Sequence, residues 1–170
     1  MITAKIPYEF ISQRVELGWN DIKFGLDHQW ITPKVAIEKA TEGVCRSESA
    51  SKDELELASR AESDPVADLV SCLAKAETGP ADEDLKGKWL YLVLAWLFEA
   101  RQSLVDPLGM VEQVYSEFEY PREVTPFVRY MPMEGPDLRN REQNEARMFD
   151  KWKTYLDDAG RRFARPARNS

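Results

Sequence analysis

The segment DEDLKGKWLYLVLAWLFEARQSL, residues 82–104, decides the fold class of this chain. Its apolar residues recur at the three- and four-residue spacing of an α-helix, and further apolar residues fill the remaining faces. A helix that is apolar nearly all round is usually enclosed by neighbouring helices. Its longest apolar run, Trp89–Phe98, has ten residues, whereas a membrane span needs about 20. We therefore predict a buried helix at the centre of an all-α protein.

Helix-start signals recur on both sides of this segment. Thr32-Pro33, Asp64-Pro65 and Asp106-Pro107 each place a capping side chain before a proline that suits the first helical turn. Ser51 and Glu54 have the spacing of a capping box. No window shows the alternation of apolar and polar residues that is typical of a strand. Most of the chain is therefore expected to be helical.

The expected domain organisation is simple. Residues 1–160 are predicted to form a single compact domain of about seven or eight helices, beginning with a helix over 7–17. The last helix is predicted over roughly 140–160, where Gly160 ends it, and residues 161–170 form a basic C-terminal tail. A minor β element near 124–133 remains open, because several residues there are compatible with a strand.

Charge limits the partners that this chain is expected to bind. Lysine and arginine together number 23, against 30 aspartates and glutamates, and the formal net charge is −7. Residues 47–84 carry three basic and eleven acidic residues, whereas residues 137–170 carry nine basic and six acidic ones. An acidic chain is a poor candidate for general nucleic-acid binding, which depends on neutralising phosphates. We expect neither a nucleic-acid nor a membrane partner. The acidic surface instead suits a basic protein.

Residues for histidine, cysteine and metal chemistry are scarce. His28 is the single histidine, and Cys45 and Cys72 are the two cysteines, without CxxC spacing. We predict two free thiols, as in the reducing cytoplasm, where we expect the protein to reside. The glycines form no phosphate-binding loop, and no aspartate run forms a calcium loop. We predict no metal, no cofactor and no enzymatic activity.

Two alternatives to a binding protein remain open. Glu142 and Glu145 are three residues apart on a predicted helix, with Asp150 further along, and such carboxylates hold magnesium in some all-α hydrolases. A metal-dependent hydrolase built on these residues is therefore one alternative. The other is a homo-oligomeric scaffold held together through the helix that contains Trp89 and Trp96. The sequence leaves the oligomeric state undetermined.

The run YSEFEYPREVTPFVRYMP, residues 115–132, is the most distinctive part of the sequence. Its three prolines restrict the backbone, and tyrosine and arginine are favoured at protein interfaces. Phe118, Phe127 and Val128 are expected to pack in the core, with the rest of the run forming a pre-ordered contact surface. The predicted partner-binding residues are Glu117, Glu119, Tyr120, Arg129 and Tyr130.

The same run carries a resemblance to a known family. The blocks Asp106–Leu108, Val111-Glu112, Tyr120-Pro121 and Phe127–Pro132, with Tyr115 and Phe118 between them, resemble small bacterial proteins catalogued as domain of unknown function 2247. The N-terminal blocks Pro7–Ile11 and Leu17–Trp19 are similar to that family as well. The resemblance covers about residues 5–158.

The resemblance implies a bacterial cytoplasmic protein and brings no catalytic residues with it. Some small families of this kind look like immunity proteins of toxin systems, which act by covering or distorting a toxin's active site. Many toxin nucleases are basic, and this chain is acidic. The expectation at this point is a non-enzymatic, immunity- or antitoxin-like protein whose partner is a basic protein such as a toxin domain.

Overall fold

Most of the helix-start signals in the sequence become helix N-termini in the structure. The computed structural model describes residues 5–46, 50–77, 82–129 and 139–163. In these ranges the chain forms eight α-helices and one 3₁₀ helix and contains no strand, which confirms the all-α class. The elements are α1 (Tyr8–Ser12), α2 (Trp19–Asp27), α3 (Pro33–Arg46), α4 (Lys52–Ala58), α5 (Ala67–Ala76), α6 (Asp82–Glu99), α7 (Pro107–Glu117), the 3₁₀ helix (Arg122–Phe127) and α8 (Arg141–Phe163).

The described residues up to Trp89 form one compact unit. Within it α2 packs mainly against α5, and α3 packs against α4. Trp89 is fully buried, its ring lies 5.7 Å from that of Trp30, and its indole N–H donates to the backbone carbonyl of Asp21 at 3.0 Å. A Cβ on Gly25 would lie 2.5 Å from the Trp89 ring, so this indole needs a glycine opposite it. Trp89 is therefore a core residue of the first unit.

The described residues from Leu90 onward form a second compact unit. The 3₁₀ helix packs against both α8 and α7. Trp152 of α8 is fully buried at its centre, stacked on Phe127 at 6.1 Å and on Phe149 at 6.0 Å, with Phe98 edge-on at 5.1 Å. Aromatic pairs in these geometries contribute more than their buried area alone. The second unit is therefore built on an aromatic core that joins α6, the 3₁₀ helix and α8.

The strand alternative near 124–133 is wrong for the residues that the structure describes. Arg122–Phe127 form the 3₁₀ helix, and residues 130–133 lie outside the described ranges. Pro126 lacks a backbone N–H and holds φ near −65°, which suits a short tight helix and prevents a regular strand ladder. Val124 and Phe127 point into the core from this turn. The local structure is thus a short 3₁₀ helix.

Several helix boundaries differ from the sequence-based predictions. The central helix, predicted from segment 82–104, ends at Glu99. The first helix ends at Ser12. Val15 and Leu17 follow in non-helical backbone, and their side chains are buried. α5 begins at Ala67, because the Asp64 carboxylate accepts the Ala61 N–H at 2.8 Å and does not cap this helix.

The predicted end of the last helix at Gly160 is also wrong, because α8 continues to Phe163. Phe163 stacks on Tyr91 at 6.2 Å, and a Cβ on Gly160 would lie 3.2 Å from the Tyr91 hydroxyl. Arg161 and Arg162 occupy the last turn, where cations interact favourably with the helix dipole. Residues 164–170 of the predicted tail lie outside the described ranges, so the boundary between domain and tail stays a prediction.

No helix in the described ranges is both long enough and apolar enough to cross a membrane.

Candidate functional site: a groove along α7

The first turn of α7 is held by a network of charged side chains. Asp106 caps the helix, and its Oδ1 accepts the Gly109 N–H at 3.2 Å. Arg129, just after the 3₁₀ helix, donates from Nη2 to Asp106 Oδ2 at 2.8 Å and from Nε to Glu112 Oε1 at 3.0 Å. A Cβ on Gly109 would lie 2.3 Å from Asp106 Oδ2, so glycine lets the carboxylate fold over the turn. One guanidinium therefore ties the start of α7 to the segment that follows it.

The electrostatics of this network favour its charged form. The hydrogen bond from Arg129 lowers the pKa of Asp106, and the Gly109 N–H adds to this effect against the cost of desolvation. The hydrogen bonds to Asp106 and then to Glu112 raise the pKa of Arg129. Since two carboxylates share one guanidinium, the network keeps a net negative charge at neutral pH.

The C-terminal end of α7 has an unusual backbone. Glu119 and Tyr120 are consecutive non-glycine residues with positive φ, 62° and 63°. Each such residue costs about 1–3 kcal/mol. The Tyr120 N–H donates to the Tyr115 carbonyl at 2.8 Å, and the two tyrosine rings meet edge-on at 5.2 Å. These contacts place the Tyr120 ring against Tyr115, although the residue is 60% exposed.

An open groove of about 640 Å³ runs between these two ends of α7. The structure exposes three large hydrophobic residues in its described ranges: Leu55, Val105 and Tyr120. Val105, which is fully exposed, and Tyr120 both line this groove, whereas Leu55 lies on α4. The lining residues are Leu104, Val105, Asp106, Gly109, Met110, Glu112, Gln113, Ser116 and Tyr120. The groove therefore combines apolar contact area with two carboxylates.

The predicted partner-binding residues lie in different surroundings in the structure. Tyr120 lines the groove, and Glu117 and Glu119 are exposed at the C-terminal end of α7. Arg129 is half-buried in its two ion pairs, so it shapes the groove wall. Tyr130 lies outside the described residues.

The sequence model of one family matches residues 8–160 of the chain. That family is described as an uncharacterized protein conserved in bacteria, DUF2247. The chain belongs to this family. No curated protein and no solved structure matches the chain. Membership in DUF2247 confirms the resemblance drawn from the Tyr-Pro and N-terminal blocks.

Sequence reasoning missed the N-terminal half of the groove in this DUF2247 chain. Val105 precedes the cap residue Asp106, and Met110 is the fourth residue of α7, which is the spacing of a hydrophobic staple. A staple would bury Val105, whereas the structure leaves it fully exposed. The pattern was therefore visible, but it predicted a structural contact instead of a binding surface.

One of the three α8 carboxylates considered for a metal site, Glu145, forms a surface ion pair. Glu145 accepts a hydrogen bond from Arg141 at 3.2 Å, one turn away on the same helix. Within the described ranges, no group of three or more histidine, cysteine, aspartate or glutamate side chains is arranged to hold a metal ion.

The histidine and the cysteines have simple surroundings. His28 follows the last residue of α2, its Nδ1 lies 2.9 Å from the Phe24 carbonyl, and its ring stacks on Trp30. His28 is thus the C-cap residue of α2. Cys45 and Cys72 are free and exposed, as predicted.

Proposed function

We propose that this protein acts by binding another protein, and that the groove along α7 receives a segment of that partner. The observation that carries the proposal is the placement of Val105 and Tyr120 on one groove bounded by Asp106 and Glu112. Tyrosine is favoured at binding hot spots, and a tyrosine that already packs against its own protein, as Tyr120 does against Tyr115, has less side-chain entropy to lose on binding.

The groove suits one kind of segment. An apolar side chain would pack between Val105 and Met110, and a lysine or arginine would meet the carboxylates of Asp106 and Glu112, which share a single guanidinium. Glu117 and Glu119 add exposed negative charge where α7 ends. The occupant is therefore a basic segment with at least one exposed apolar residue.

A finer proposal concerns the identity of the partner. The net charge of −7 and the acidic groove favour a basic protein, and opposite charges speed association more than they strengthen the complex. A toxin domain of the basic nuclease kind has this character, and an immunity factor would meet it in the cytoplasm. We propose this as the role of the chain, without an enzymatic step of its own. The hydrolase and scaffold alternatives stay predictions.

The test uses the product of the adjacent open reading frame. The two proteins are mixed at micromolar concentration and separated by size-exclusion chromatography, and co-expression is scored for relief of toxicity. We expect co-elution with the wild-type chain and at least tenfold weaker binding by Val105→Asp and by Tyr120→Ala. Leu55→Asp is the matched control, because it changes the third exposed hydrophobic residue, which lies outside the groove. Absence of both co-elution and relief, or equal loss in the Leu55 control, would refute the proposal.

A further inference from the structure

A second cavity lies in the first unit, separate from the groove along α7. Its volume is about 250 Å³. Lys39 of α3 lines it and is itself half-buried. The other lining residues are Tyr8, Ser12, Val15, Glu16, Leu17, Glu42, Gly43 and Arg46. The cavity therefore brings a primary amine to a small, partly enclosed space.

The Lys39 ammonium has no hydrogen bond or ion pair with the residues that the structure describes. Its Nζ lies 5.1 Å from the centre of the Trp19 ring. This contact favours the cation weakly but supplies no hydrogen-bond acceptor. A half-buried lysine normally keeps its charge by pairing with a carboxylate, so the surroundings of Lys39 need an explanation.

Two of the four carboxylates that act on Lys39 accept hydrogen bonds from other donors. Glu42 accepts a hydrogen bond from the Tyr8 hydroxyl and pairs with Arg46 at 2.8 Å. Glu77, which follows α5, accepts the Trp19 N–H at 2.7 Å and so caps the N-terminus of α2. These carboxylates attract Lys39 through space. Lys39 therefore lines the cavity without a hydrogen-bonded carboxylate among the described residues.

Desolvation by burial lowers the pKa of Lys39, and this effect outweighs the attraction of the surrounding carboxylates. Each unit of lowering increases the neutral, nucleophilic fraction of an amine at pH 7–8 about tenfold. The carboxylates that oppose the lowering are, in order of effect, Glu77, Glu16, Glu42 and Glu54.

We propose that Lys39 is a nucleophilic amine that reacts with small uncharged carbonyl compounds entering this cavity. The cavity is too small for a drug-sized molecule, and the surrounding carboxylates repel anions, so a small neutral aldehyde fits best. The neutral amine adds to the carbonyl carbon, and an N–H proton moves to the carbonyl oxygen to give a carbinolamine. Loss of water then forms the imine.

The test is competitive reductive alkylation of the whole chain with propionaldehyde and cyanoborohydride, which delivers hydride to the imine carbon. Mass spectrometry of peptides measures the initial rate at each lysine between pH 6.5 and 9.5. Lys34 is the internal reference, because it lies on the same helix with its side chain 57% exposed. We expect Lys39 to react at least about threefold faster than Lys34 at pH 7.5, with a pH profile shifted to lower pH.

Two variants separate a reactive amine from an accessible one. Glu16→Gln removes an exposed carboxylate that favours the ammonium, so the Lys39 rate should increase while the Lys34 rate stays the same. Lys39→Arg should abolish labelling of that peptide while the circular dichroism spectrum is unchanged. The proposal is overturned if Lys39 reacts no faster than Lys34 at pH 7.5, or if its pH profile is not shifted below that of Lys34.

Discussion

The buried ion pair between Asp21 and Lys88 permits a quantitative test of what stabilises the first unit. Asp21 is buried, and its Oδ2 accepts hydrogen bonds from Lys88 Nζ at 2.8 Å and from the Gly18 N–H at 2.9 Å. Its Oδ1 has no hydrogen-bond partner within the described ranges. Lys88→Met therefore leaves a carboxylate in the core with one backbone N–H as its hydrogen-bond donor.

The expected cost follows from the burial of the two groups. Breaking a buried pair by removing one partner costs about 3–5 kcal/mol, because the remaining charge is neither hydrated nor compensated. The Asp21 side chain is 2% exposed and the Lys88 side chain is 16% exposed. We expect Lys88→Met to lower the free energy of unfolding by about 3 kcal/mol. Asp21→Asn should cost only about 1–2 kcal/mol, because the remaining lysine can turn toward water.

The assay is urea unfolding at pH 7, followed by tryptophan fluorescence and circular dichroism. Trp89 reports on this region, because its indole donates to the Asp21 carbonyl. The double variant Asp21→Asn/Lys88→Met should lose at least about 1 kcal/mol less than the sum of the single losses, since the two groups interact directly. Glu56→Gln is the control, because its ion pair with Arg60 is surface-exposed and contributes about 0.5 kcal/mol or less. The reasoning fails if Lys88→Met costs no more than this control, or if the single losses are additive.

Three further predictions test other parts of the structure. Gly25→Ala places a Cβ 2.5 Å from the Trp89 ring. Overpacking should cost about 1–3 kcal/mol and outweigh the gain of about 1 kcal/mol in helix propensity, so the protein should become less stable. A higher urea midpoint would contradict this. Burial raises the pKa of Tyr155, so stability should fall as the pH rises above 10.0, and Tyr155→Phe should make that decline shallower in alkaline unfolding curves. The hydrogen bond from Arg129 lowers the pKa of Asp106, so the contribution of Asp106 to stability is present above pH 3.8 and is lost as the pH falls through its lower folded-state pKa. Asp106→Asn should therefore reduce the fall of the urea midpoint in acid.

The sequence predicted the helical class because the signals for it are local. The apolar periodicity in segment 82–104 and the Asp106-Pro107 cap each involve residues within one helix, and both helices are present, although α6 ends at Glu99. The capping box at Ser51 is also present, with the Ser51 hydroxyl oxygen accepting the Glu54 N–H at 3.2 Å. Where a neighbour in space competes with the local signal, as at Gly160 opposite Tyr91, the predicted boundary was wrong.

The candidate groove could be predicted only in part. The aromatic run indicated Tyr120 and the acidic residues beside it, because residue type and proline content are visible in the sequence. Val105 was missed because its position before a helix cap predicts burial, and exposure depends on what the fold places above it. Arg129 was predicted as an anchor, which stays a prediction, and its ion pairs with carboxylates 17 and 23 residues earlier could not be read from the sequence.

The sequence by itself determined the helices, the acidic character and the membership in DUF2247, because these depend on short patterns and on composition. Only the tertiary structure decided which charged groups meet. Glu77 caps a helix that begins 58 residues before it, and a Cβ on Gly18 would lie 2.3 Å from that carboxylate. Glu77 also attracts Lys39 through space, and among the described residues Lys39 has no paired carboxylate. Hydrogen bonds and desolvation act over a few ångströms, and distances between remote residues exist only once the helices have packed.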